Sequence, residues 1–132
     1  MQTQFDVLVV SANIEDRNAL IKVLESLSGN VFSCSNLAQA REVIVRRPMD
    51  IAFCDEQLPD GSYRDLVDSI RSRAMTLPLV VTTHVGEWKE YLEATDLGAF
   101  DMIPFPLRPT DVELTVIRAM RGVEQKAAAA AA

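Results

Sequence analysis

The chain has 132 residues, which at roughly 100–200 residues per domain is one domain. Hydrophobic residues make up 48%, enough for a real core and too many for a disordered chain, although six terminal alanines inflate the figure. Nineteen acidic against 13 basic residues leave a net charge of −6, which argues against a nucleic-acid surface, and no stretch approaches the ~18–20 apolar residues of a membrane span.

The opening MQTQFD has neither a basic nor an apolar leader segment, so the chain is expected in the cytoplasm, with Cys34 and Cys54 as reduced thiols. A first strand is predicted over 5–10, followed by Ser11, Ala12 and a helix-start pattern at Asn13…Asp16. Leu20, Val23, Leu24 and Leu27 then form the stripe of a first helix. A second strand (31–35) leads through Asn36…Gln39 into a helix marked by Leu37, Ala40, Val43 and Ile44. The third strand (51–55) ends on Asp55. A Pro59-Asp60-Gly61 turn and the Ser62…Asp65 cap precede the Tyr63, Leu66, Val67, Ile70 stripe. A fourth strand (79–83) gives way to a helix opening with Trp88, Tyr91 and Leu92. After a fifth strand (99–103), Thr110 to Glu113 read as a capping box just behind Pro109, with Val112, Val116, Ile117 and Met120 as the last stripe. Residues 127–132, all alanine, either prolong that helix or stand in for other residues, and carry no functional weight.

Five alternations of strand and helix predict an α/β fold with a parallel sheet and right-handed crossovers. Open sheets of this kind bind ligands beyond the carboxyl ends of the strands, where strand order reverses. With an order of 2-1-3-4-5, that crevice receives Ser11, Ala12 and Asn13 after the first strand and Asp55 after the third, with Thr83 and Phe105 beside them. The single histidine, His84, has no triad partners, the cysteines match no metal pattern, and the five glycines form neither G-x-G-x-x-G nor a P-loop. A small-molecule binder on a flavodoxin-like sheet is therefore the weakest reading.

Three segments carry a sharper signal. DIAFCDEQLPDGS (50–62), PLVVTT (78–83) and GAFDMIPFP (98–106) together resemble the receiver domains of two-component response regulators. The resemblance runs from residue 5 to about 124 and implies one receiver domain over 1–126. It also implies a flavodoxin-like, doubly wound (βα)5 three-layer sandwich with a five-stranded parallel sheet of order 2-1-3-4-5. On it Asp55 takes the phosphoacceptor position, Thr83 the phosphoryl-contacting position, and the backbone of Gln57 a metal-facing one. The departures are equally specific. Ser11 and Ala12 stand where the family carries an acidic pair, Phe105 replaces its lysine, and Met102 its strand-five aromatic ring.

Mg²⁺ demands near-octahedral oxygen ligation and sheds its waters reluctantly, so Asp55, one carbonyl and a neutral serine make a poor cage. Phosphoryl transfer needs its equatorial oxygens neutralised by metal and cationic groups, and phenylalanine supplies no charge. Glu15 and Asp16 fall in the first helical turn, where complementing the helix dipole is their expected role. The chain is accordingly expected to be a non-enzymatic, atypical receiver that binds Mg²⁺ weakly or not at all. Its expected partners are a histidine kinase, a phosphotransfer protein or an effector domain, with no membrane and no nucleic acid among them. The resemblance also implies a homodimer through the face of the fourth helix, fifth strand and fifth helix. Trp88, Tyr91 and Phe100 are the candidate partner surface, although helical spacing favours inward packing of Trp88, Tyr91 and Leu92. The alternative is a working phosphoacceptor, phosphorylated on Asp55 by a histidine kinase.

Overall fold

A computed structural model describes residues 4–131, with side chains through Gly122. Five strands, β1 (Phe5–Val10), β2 (Gly29–Cys34), β3 (Ile51–Asp55), β4 (Leu79–Thr83) and β5 (Asp101–Pro104), form one parallel sheet of order β2-β1-β3-β4-β5. The helices are α1 (Ile14–Ser26), α2 (Leu37–Arg46), α3 (Tyr63–Ser72), α4 (Trp88–Leu97) and α5 (Pro109–Ala131). A short antiparallel ladder, Gln57–Leu58 against Gly61–Ser62, closes the turn between β3 and α3.

Each strand divides its side chains between two cores because successive residues point to opposite faces. Val7, Val9, Ile51, Phe53, Val80 and Ile103 pack with Leu20 and Leu24 of α1 and Val112, Val116 and Ala119 of α5. Leu8, Val10, Ala52, Cys54, Leu79, Val81 and Met102 face Leu37, Ala40 and Ile44 of α2, Leu66 and Ile70 of α3, and Ala94 of α4. The predicted doubly wound sandwich is thus observed, with two helices on one face and three on the other.

Local chemistry sets the element ends. Asn13 and Asn36 accept from the amides of Asp16 (3.0 Å) and Gln39 (2.9 Å), while Asp65 accepts from the Ser62 amide at 2.9 Å. α4 ends on Gly98 at φ 114°, where an added Cβ would lie 2.6 Å from the Arg71 guanidinium. The start of α5 differs from the capping-box expectation. Pro109 is itself the first helical residue, with the Arg108 carbonyl accepting from Asp111 and Val112. Proline lacks the amide that a first-turn residue leaves unused, so it opens the helix one residue before Thr110.

Candidate functional site at the strand ends

Register decides which side chains meet. Val10 pairs with both Cys34 and Cys54, and Asp55 pairs with Thr82. By alternation Ser11, Asp55 and Thr82 all project toward the α1/α5 layer, whereas Glu56 and Thr83 project toward the other. The hydrogen bonds follow. One Asp55 oxygen accepts from the Thr82 hydroxyl at 2.9 Å; the other accepts from the Ser11 hydroxyl at 2.9 Å and the Ala12 amide at 3.3 Å. Thr83, the residue expected beside Asp55, instead donates to Glu56 at 3.0 Å and accepts from the Val85 amide at 3.0 Å. The signal that locates Thr82 is strand parity, since two adjacent threonines cannot share one face of a sheet.

Burial pushes the Asp55 carboxyl above the ordinary carboxylate value. Hydrogen bonds from Thr82, Ser11 and Ala12 oppose that shift, and the negative charge of Asp16 adds to it. Asp16 therefore does more than complement a helix dipole: its charge is felt at Asp55. Its own carboxylate meets His84 Nε2 at 2.6 Å, and the His84 ring stacks on Phe105 with centroids 4.9 Å apart. Phe105 precedes a cis peptide bond to Pro106, and its amide donates to the Thr83 carbonyl at 2.8 Å. Arg17 donates to the Ser11 carbonyl at 2.9 Å and so holds the end of β1. Sequence reasoning left Thr82, Glu56, Asp16, Arg17 and His84 outside the site, although all of them bear on it.

The remaining candidates separate. Met102 is buried on the α2–α4 side and Gln57 lies exposed in the short ladder. Asp60 accepts from the Leu37 and Ala38 amides at 2.8 and 3.0 Å, tying the turn after β3 to the start of α2; the Leu37 bond leads in holding its carboxyl low. Inward packing does not hold for the whole α4 stripe. Trp88 is 71% exposed and Leu92 42%, while Tyr91 is half-buried under a Trp88 ring stacked at 5.3 Å. The reason lies in helical phase, because Ala94 is the fully buried residue of α4 and Tyr91 and Leu97 pack beside it. Phe100 packs in the α1/α5 core beneath Arg118, on the opposite face of the sheet from Tyr91. It does not join a surface with Trp88.

Cys34 and Cys54 are buried and free, with burial pushing the Cys34 thiol up to about 11 and Cys54 well above its ordinary value. No group of three or more His, Cys, Asp or Glu among the described residues could hold a metal ion. Nor, among them, is any helix long and apolar enough to cross a membrane.

Residues 7–117 match the family model of the response regulator receiver domain. The chain belongs to that family. It is 33% identical over 100 residues to the response regulator protein PilR of Pseudomonas aeruginosa, covering 76% of this chain and 22% of that protein. It is 27% identical over 108 residues to the phosphate regulon transcriptional regulatory protein PhoB of the same organism, covering 80% and 47%. The chain thus spans less than half the length of these curated relatives. Among solved structures, a two-component response regulator from Clostridium difficile superposes with a TM-score of 0.81 at 24% identity, covering 89% of this chain and 97% of that one. NtrX from Brucella abortus gives a TM-score of 0.89 at 23% identity, covering 98% and 29%. The receiver is a signalling module of two-component systems, and its sheet order is the flavodoxin-like one observed here.

Proposed function

We propose that this receiver, spanning residues 1–126, transmits signals through protein contacts in one resting conformation and is phosphorylated poorly or not at all. The observation that carries the reading is the set of donors on Asp55: both oxygens are engaged by neutral hydroxyl and amide groups of the protein itself. Three of a carboxylate's roughly four lone-pair sites are taken, so attack on phosphorus or binding of a cation competes with donors the chain already supplies. Each bond to a charged acceptor stabilises the resting arrangement by about 1.5–3 kcal/mol.

The donor set also fits Mg²⁺ badly. Asp55 and the Gln57 carbonyl would be its protein ligands, with Ser11 and Ala12 adding no charge, whereas the ion is held through carboxylates that replace tightly bound water. Phe105 occupies the lysine position and stacks on His84, so it offers no cation to an incoming phosphoryl group. Nothing in this reading requires enzymatic activity. Histidine kinases, phosphotransfer proteins and effector domains remain the partner classes, met in the cytoplasm through helix faces.

A working phosphoacceptor is the second reading, favoured by the position of Asp55 at the carboxyl end of β3 with two hydroxyls at 2.9 Å. Incubation with acetyl phosphate and Mg²⁺, followed by intact-protein mass, separates the two. The proposal expects no phosphoryl adduct; an adduct that disappears in Asp55→Ala overturns it.

A further inference from the structure

A groove of about 490 Å³ runs beneath the amino ends of β4 and β5, at the end of the sheet opposite Asp55. Its volume falls within the roughly 300–1,000 Å³ of small-molecule sites. Val67, Ile70, Met75, Leu77, Leu79 and Phe100 give it apolar walls, and Ala119 and Gly122 of α5 bound one side. The walls stand on the chain's own hydrogen bonds. The Met75 amide donates to the Ile70 carbonyl at 3.1 Å, Ala99 to Ala94 at 2.9 Å and Phe100 to Leu79 at 2.7 Å. A shape held in this way needs little ordering when something binds.

Arg71, in the last turn of α3, is the charged residue on the rim; no carboxylate among the described residues lines the groove. Its guanidinium reaches across to Gly98, where an added Cβ would lie 2.6 Å from Nη2. The carboxyl ends of α3 and α4 both carry partial negative charge, which accounts for a cation between them. That attraction does not use up its donors. Among the described residues the Arg71 guanidinium has neither an ion pair nor a hydrogen bond, and the Thr76 hydroxyl on the same rim has no partner either. Unanswered donors above an apolar concavity select a ligand by charge as well as by shape. We infer that the groove binds a small amphipathic carboxylate. Its chain lies along the aliphatic walls, and its headgroup takes the planar fork of Arg71 together with the Thr76 hydroxyl. Such a ligand gives the receiver an input that involves no phosphoryl group, and the inference stands whatever the state of Asp55.

Titration with octanoate, followed by the amide resonances of Thr76, Gly98 and Ala99, tests it. Saturation at about 0.1–1 mM is expected, with Ala12 and Asp55 unmoved. Acetate has the headgroup alone, and octyltrimethylammonium has the chain with the opposite charge; each should bind at least about tenfold more weakly. Arg71→Gln, at an exposed position, should weaken octanoate by about three- to fivefold. Gly122→Leu, at a position where an added Cβ meets nothing within 4 Å, should weaken it by filling the groove from the α5 side. No saturation by about 10 mM octanoate overturns the inference. Octyltrimethylammonium bound as tightly as octanoate, or octanoate indifferent to Arg71→Gln, overturns the chemistry assigned to the ligand. Shifts centred on Trp88 and Leu92 overturn the assigned place.

Discussion

The strand-end cleft and the outer face of α4 stand at opposite extremes of satisfaction. Both oxygens of Asp55 have donors from the chain itself, supplied by Ser11, Ala12 and β4. On α4 a tryptophan and a leucine lie exposed among the described residues, beside the Arg64–Glu93 ion pair. A region whose polar groups are already paired has little free energy left to offer a ligand, whereas exposed apolar surface releases it on contact. The contrast supports the proposal that this receiver acts away from its cleft.

The sharpest way to break that contrast is to remove the acceptor. Asp55→Ala leaves two hydroxyls and an amide without their partner, so urea unfolding should show a loss of about 2–3 kcal/mol. A cleft of crowded carboxylates would respond with the opposite sign, by relief of repulsion. Next in size, Thr82→Val removes one hydroxyl bond to the carboxylate and should cost about 1–2 kcal/mol in the same assay. A Thr82→Val variant as stable as wild type would contradict that bond's contribution to the cleft.

A smaller effect appears in the pH dependence. Asp55 is held above its ordinary value of 3.8, so the native state keeps this proton more readily than the unfolded chain. Its contribution is fullest below the unfolded value and is lost as pH rises through the folded one. Asp60, held low by helix amides, works in the other direction: its contribution is present above 3.8 and lost as pH falls through the folded value. Unfolding of wild type against Asp55→Asn between about pH 4 and about pH 7 should therefore show wild type gaining relative to the variant toward acid. A gap that widens toward neutral pH in favour of wild type would contradict the shift. The smallest effect is expected on the open face. Trp88→Ala should change stability by no more than about 0.5 kcal/mol, since the side chain is 71% exposed.

Much of this was legible before the fold was known. The apolar runs ending at Val10, Asp55 and Thr83 coincide with strand ends, because residues buried on both faces leave uninterrupted runs. Ser11, Ala12 and Phe105 could be placed at the cleft from spacing alone. What the sequence concealed was three-dimensional in origin. The choice between Thr82 and Thr83 depends on pairing of β3 with β4, a contact 27 residues apart. Asp16 and His84 meet across 68 residues, a distance over which periodicity carries no information. Exposure of Trp88 and Leu92 follows from the rotational phase of α4, which its short, weakly patterned stripe leaves open until Ala94 is seen against the sheet.

Asp55 is satisfied by the chain's own donors, and the proposal is that it gathers no divalent cation. Titration of Mg²⁺ with beryllofluoride, followed by the amide resonances of Ala12 and Asp55 and by Trp88 fluorescence, tests it most directly. The account predicts shifts no larger than those from ionic strength alone, with no saturation. Saturable binding at about micromolar to submillimolar concentration, lost in Asp55→Ala, would contradict it.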